Sequence, residues 1–340
     1  MINYEPLKDR YVNNLANNKK AYDYLLSRHL THDVIRDFEL GYSMSNIIES
    51  KAKEVIDCGL VKRYEDGVGT FFNNRIMIPI RDNNGKLAGF TGRTMLTFDG
   101  ISKYKNSVES KQFDKSSILF NLHAIGDNNS VIISEAQLNT LAYTQFIRQS
   151  VFSTNPHPVS TGGTALTKKH VEALTDSGVD TVFLAFDGDK AGREATLKAI
   201  NLLKGEFTLF IVRMPKDTDM MDLLPNYDII EKIVMFESME YREYVRLLAG
   251  TYKKTYMDRL KKGVRVSIRD YENSLKRLSE LSSVYFRYER FTDGKHSFYI
   301  DSVDEFNNEI VMVFDIYNVK YKSSISYFNS LIENKKFWRV

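Results

Sequence analysis

The chain has 340 residues, 43% of them hydrophobic and 27% charged, with a formal net charge of +3, a soluble globular composition with room for two or three domains. No apolar run approaches a membrane span, the stretch Met1 to Arg10 has no signal-peptide core, and a single cysteine, Cys58, excludes both a disulfide framework and a multi-cysteine zinc site. These features predict a cytoplasmic protein without bound zinc, with Cys58 a small core residue, and any nucleic-acid-binding surface must be local because the net charge is only mildly basic.

In chain order, residues 19–60 read as short helices. Ala21 to Arg28 is one and Thr31 to Phe38 another, with Thr31 at its N-cap. From about 70 the pattern changes to strands: Arg75 to Ile80, a turn at Asp82-Asn-Asn-Gly85, and a return strand Lys86 to Phe90. Residues 130–215 alternate strand and helix, the signature of a parallel sheet covered by helices. The strands are Val131 to Ser134, Val151 to Ser153, Val159–Ser160, Thr181 to Phe186 and Phe207 to Arg213. The helices are Leu138 to Arg148, Thr167 to Asp176 and Ala191 to Leu203. Beyond 227 the chain turns helical and charged, then β-rich through Val284 to Tyr288, Ser297 to Ile300 and Ile310 to Phe314. The expected fold class is α/β, a parallel sheet flanked by helices, with an N-terminal α+β subdomain (1–128), a central sheet domain (129–226) and a C-terminal helical and β-rich region (227–340).

The apolar run Val182 to Phe186 stops at Asp187-Gly188-Asp189, and a helical stretch follows at once. In an extended segment residues i and i+2 share a side, so both carboxylates can face one metal ion, and Gly188 permits a tight exit. Ligands of open α/β sheets bind beyond the carboxyl ends of the strands. Glu135 and Asp219 also follow strands, and neighbouring strands lie about 4.8 Å apart, so these acids can converge on magnesium.

Glu135, Asp187-Gly188-Asp189 and Asp219, in this order and spacing, resemble the toprim fold shared by DnaG-type primases, topoisomerases and some nucleases. The upstream stretches Asn74 to Ile80, Gly85 to Arg93, Lys103 to Ser107 and Phe113 to Lys115 are similar to the RNA polymerase core of bacterial and phage DnaG-type primases. So are Ala21 to Arg28, Phe38 to Tyr42 and Thr161 to Thr167. The resemblance covers roughly residues 20–225.

It implies template-directed synthesis of short RNA primers on single-stranded DNA from NTPs, by metal-dependent nucleotidyl transfer during DNA replication. Glu135, Asp187 and Asp189 would be catalytic, and with Asp219 would hold Mg2+ or Mn2+. Arg28, Arg75, Arg93, Lys103, Asn106 and Lys115 would line the groove for template and NTP. A replicative helicase is an implied protein partner; because the family's zinc module finds no counterpart here, either another polypeptide supplies a separate zinc-binding module or initiation is chosen differently. Two residues depart from the family pattern: Asn139 stands where the motif carries an acid, and Met221 replaces the acid two positions past Asp219, with Asp222 beside it. The region 227–340 does not read as the family's helical helicase-binding domain, and its basic cluster Lys253, Lys254, Lys261, Lys262 and Arg265 reads as a solvated helix face. Two alternatives stay open: a toprim nuclease or topoisomerase-like enzyme, and a replisome single-strand-binding scaffold with a degenerate toprim site.

Overall fold

The first helix, α1 (Glu5–Ala16), carries Pro6 in its first turn, where its fixed φ fits, and buries Leu7, Tyr11 and Leu15. The computed structural model describes residues 2–64, 67–96, 100–150, 155–163, 165–262, 273–278, 290–293, 296–304, 309–314, 319–334, 336, 338 and 339. It divides into two units, Met1–Met239 and Glu240–Val340. Helix α2 (Lys19–Ser27) begins earlier than its apolar pattern predicts because the Asn18 side chain accepts from Ala21 N–H at 3.0 Å. Thr31 does stand at the N-cap of α3 (His32–Asp37), but its side chain makes no capping bond. Its N–H instead donates to Gln145 Oε1 at 2.7 Å.

Strand β1 (Gly41–Ser43) follows, then the short helices α4 (Asn46–Glu49) and α5 (Lys53–Asp57) and the two-stranded ribbon β2 (Val61–Tyr64) and β3 (Gly67–Thr70). The long hairpin β4 (Arg75–Arg81) and β5 (Leu87–Thr94), with β6 (Tyr104–Asn106), completes an antiparallel sheet in the order β1-β4-β5-β6. Every residue of β5 is buried, so this sheet is covered on both faces. The turn between β4 and β5 is held by the Asp82 carboxylate, which accepts from the N–H groups of Asn84 and Lys86 at 3.0 Å.

The βα array then builds the second sheet. It comprises β7 (Ser130–Ser134), α6 (Gln137–Gln149), β8 (His157–Ser160), α7 (Lys168–Asp176), β9 (Thr181–Leu184), α8 (Lys190–Leu203) and β10 (Thr208–Ile211). These four strands are parallel in the order β10-β9-β7-β8, and a two-residue strand β11 (Met239–Glu240) closes the unit. The expected strand at Val151 to Ser153 lies outside the described residues. Helices α9 (Met220–Leu223) and α10 (Tyr227–Glu231) follow, and a π-helical turn continues over Lys232–Phe236. One continuous core joins the two sheets: Ile76, Ile78 and Phe120 pack with Ile132, Leu141, Ala185 and Met221. The acidic and basic candidates are therefore carried on a single packed body.

In the second unit, α11 (Tyr241–Lys261) precedes an antiparallel sheet of β12 (Arg290–Thr292), β13 (Ser297–Asp304), β14 (Glu309–Phe314), β15 (Val319–Ser324) and β16 (Trp338–Arg339), ordered β15-β14-β13-β12-β16. Helix α12 (Ile325–Glu333) supplies Phe328, packed edge-on against Phe291 at 5.2 Å between ring centres. The expected strand Val284 to Tyr288 lies outside the described residues, as does Arg265.

Candidate active site

Strands β7 and β9 pair in register, with Ile133 opposite Leu184, so their carboxyl ends lie side by side. Glu135 leaves the first and Asp187 the second, and the Glu135 Oε1 oxygen accepts from Asp187 N–H at 3.2 Å. Gly188 makes the next step possible: a Cβ there would lie 1.8 Å from the Pro215 carbonyl oxygen. Its N–H donates to Thr218 O at 2.8 Å, and its carbonyl accepts from Asp217 N–H at 3.2 Å, which brings the 215–219 turn and Asp219 to the same place. Gly192 does the same for α8, since a Cβ on it would lie 2.0 Å from Asp187 O. The close approach of three backbones explains both glycines.

Asp189 and Asp219 each cap a helix. Asp189 Oδ1 accepts from Gly192 N–H at 2.7 Å, and Asp189 is exposed. Asp219 and Asp222 form a reciprocal capping box, each side chain accepting the other's backbone N–H at 3.0 Å. Asp222 thus serves the cap on the exposed side, while Met221 is buried in the core. Asn139 donates to Asp187 Oδ1 at 3.3 Å.

Burial raises the Asp187 carboxyl to about 7, and the nearby Glu135, Asp219 and Asp189 add to the rise while Lys103 opposes it. Glu135 is raised chiefly by burial, against the Asp187 N–H and with a contribution from Asp189 and Asp219. Asp219 is raised by burial, offset by the Asp222 N–H, Arg28 and Lys103. Oxygen donors of this kind fit a small hard ion such as magnesium, which takes one or two carboxylates and leaves its other positions to water and phosphate oxygens. Among the described residues no group of three or more His, Cys, Asp or Glu side chains is by itself arranged to hold a metal ion.

The basic candidates divide into two groups. Lys103 and Arg28 act electrostatically on the acids. Lys103 is exposed, and the Arg28 Nε is buried with no hydrogen-bond partner. Arg93, on β5, donates to the hydroxyls of Tyr24 at 2.8 Å and Tyr104 at 2.7 Å. The Lys103 Nζ lies 5.8 Å from the centre of the Tyr104 ring. Arg75, by contrast, is buried, and its guanidinium donates to the carbonyls of Gly92, Ser102 and Lys103 at 3.0–3.4 Å. It fastens the segment that carries Lys103. Asn106 accepts from Thr91 Oγ1 at 2.7 Å, and Lys115 pairs with Glu109 at 3.6 Å. Both line a small pocket with Gln137, Thr161 and Gly162. Gly163 N–H donates to the Glu135 carbonyl at 2.8 Å, which ties that turn to the acidic centre. Tyr24, Tyr104 and Gln137 were not predicted as site residues. Tyr24 had a signal in its helical i,i+4 spacing from Arg28, whereas Tyr104 and Gln137 had none.

Residues 10–126 match the N-terminal domain of the DNA primase catalytic core, and residues 132–224 match a toprim-like domain. The chain belongs to the DnaG-type primase catalytic cores. It is 30% identical to the DNA primase of Staphylococcus epidermidis over 74% of this chain and 43% of that one. It is 34% identical to the DNA primase of Borreliella burgdorferi over 67% of this chain and 46% of that one. The chain therefore spans less than half the length of these relatives. Among solved structures, a DNA primase domain from Pseudomonas aeruginosa superposes with a TM-score of 0.61 at 25% identity, over 83% of this chain and 95% of that one. A DnaG primase catalytic domain bound to ssDNA gives 0.60 at 25% identity, over 82% and 89%. The zinc-binding and RNA polymerase domains of the Aquifex aeolicus primase give 0.62 at 24% identity, over 83% and 72%, a likeness of fold. DnaG-type toprim cores generally use a divalent metal. Among the described residues no helix is long and apolar enough to cross a membrane.

Proposed function

We propose that the chain is a DNA primase, a DNA-directed RNA polymerase that makes short RNA primers from NTPs on single-stranded DNA. The observation that carries this reading is the meeting of Glu135 and Asp187, past adjacent strands, with Asp219 on the 215–219 turn on the same packed body as the primase-like stretch 10–126. That stretch favours synthesis over strand cleavage, because a toprim sheet used for cleavage has no need of it.

Glu135, Asp187, Asp189 and Asp219 would hold Mg2+ or Mn2+, which when bound supplies charge neutralisation for in-line attack on the α-phosphate and loss of pyrophosphate. The remaining work falls to the chain's own groups. Lys103 and Arg28 bind phosphate oxygens beside the acids; Arg28 has an unpartnered buried Nε available. Arg93, fixed by two tyrosine hydroxyls, and Arg75, fixed by three carbonyls, keep the strand segment carrying Lys103 in place. Asn106 and Lys115 line the template side. Such contacts position the backbone without reading base sequence. Because the groups are held before substrate arrives, little reorganisation is needed at reaction. A replicative helicase and a separate zinc-binding module are the expected protein partners.

The test is a priming assay with labelled NTPs, varied single-stranded templates and Mg2+ or Mn2+. Oligoribonucleotides that disappear with EDTA are expected. If the purified chain yields none even with its helicase and zinc-module partners added, the reading fails.

A further inference from the structure

Asn139 lies in the first turn of α6, only 2% exposed, and both ends of its amide are engaged. Nδ2 donates to Asp187 Oδ1 at 3.3 Å, and Oδ1 accepts from Met221 N–H at 3.4 Å. Its two partners lie on separate segments: Asp187 past β9, and Met221 in α9 two residues after Asp219. A buried amide is costly unless donor and acceptor are both matched. Both of its matches here belong to the acidic centre. They also fix which way the amide faces, since the flipped arrangement would set oxygen against a carboxylate and NH2 against an N–H.

We propose that Asn139 is a positioning residue of this centre. It aims the Asp187 carboxylate and ties the Asp219-bearing turn to it, so that both are presented to one divalent cation. The proposal rests on the metal-dependent reading above and gives Asn139 no contact with metal or substrate. Where the family motif carries an acid, this chain has a neutral strut. An aspartate of the same shape would still accept from Met221 N–H, but would set carboxylate against carboxylate where an N–H···O contact now stands.

The experiment is Mn2+ binding to the full chain, read by the EPR signal of free Mn2+ without nucleotide or template, alongside thermal melts in EDTA. Asn139→Leu is expected to weaken Mn2+ binding by about 10–100-fold, the range for losing a group that orients a metal ligand. Asn139→Asp is expected to melt below wild type in EDTA and to recover when Mn2+ is added. A folded Asn139→Leu that binds Mn2+ within about twofold of wild type, well short of that range, overturns the proposal. So does an Asn139→Asp that melts like wild type in EDTA, and this arm decides the matter if the leucine variant does not fold. Wild-type protein that binds no Mn2+ removes the metal-dependent reading and the proposal with it. That result is distinct from equal binding by wild type and Asn139→Leu.

Discussion

On the parallel sheet, Glu135 and Asp187 follow adjacent strands and Asp219 meets them on the 215–219 turn; all three are half-buried acids shifted upward by burial, Asp187 further by Glu135, Asp219 and Asp189. On the antiparallel sheet, Arg75 and Arg93 are buried and answered by carbonyl and phenol oxygens within the protein. The two sides are thus built in opposite ways. The acidic side crowds carboxylates that Lys103 and Arg28 offset only in part, whereas much of the basic side is committed to shape.

The comparison breaks first at Asp187. Asp187→Asn is expected to lower primer synthesis by roughly 10³-fold or more, as for loss of a group central to transition-state charge, with the fold intact by circular dichroism. Asp189→Asn should leave α8 capped, because an asparagine oxygen accepts from Gly192 N–H as the aspartate does, so its loss of synthesis should come with an unchanged melting temperature and report the missing charge alone. Gly188→Ala is expected to destabilise the fold by about 3 kcal/mol in urea unfolding, since its methyl would collide with the Pro215 carbonyl.

Two basic variants sharpen the contrast. Lys103→Ala should cut synthesis by about tenfold or more with the melting temperature unchanged, as for loss of one charge-assisted phosphate contact. Arg75→Ala should lower stability by about 1.5–3 kcal/mol, the worth of a hydrogen-bonded buried charge, and reduce synthesis only through the loosened 102–103 segment. Equal behaviour of the two would erase the division drawn here.

The smallest effect is a pH dependence. Asp187 is an acid raised to about 7 in the fold from an ordinary 3.8, so its contribution to stability is fully present below pH ~4 and is lost as pH rises through ~7. Melting in EDTA should therefore decline across that window for wild type and decline less for Asp187→Asn. A wild-type profile as flat as the variant's would mean that the carboxylate is not crowded.

The acidic side was legible in sequence because apolar strands and the residues that end them are local patterns. Val182 to Phe186 followed by Asp187-Gly188-Asp189 places the carboxylates with no tertiary information, and β7, β9 and β10 fell where expected. What could not be read was which way long polar side chains turn. Arg75 and Lys103 both looked like groove residues, yet one is bound inward by carbonyls of Gly92 on β5 and Ser102 before β6, which only the folded sheet brings to it. Asn139 registered as a missing acid; that it bridges Asp187 and Met221 depends on three segments meeting. Asp222 looked like a displaced acid but answers to a helix cap. Helix α1 was missed because its buried face carries the polar Asn14 among Leu7, Tyr11 and Leu15, which blurs the apolar period, although Pro6 and Glu5 mark its start.

The most direct test bypasses initiation and its partners altogether: extension of a preformed RNA primer annealed to single-stranded DNA, by the purified chain with Mg2+ or Mn2+. The account predicts template-directed addition of ribonucleotides by wild type, lost with EDTA and lost in both Asp187→Asn and Glu135→Gln. Extension that persists in Asp187→Asn at the wild-type rate would contradict it.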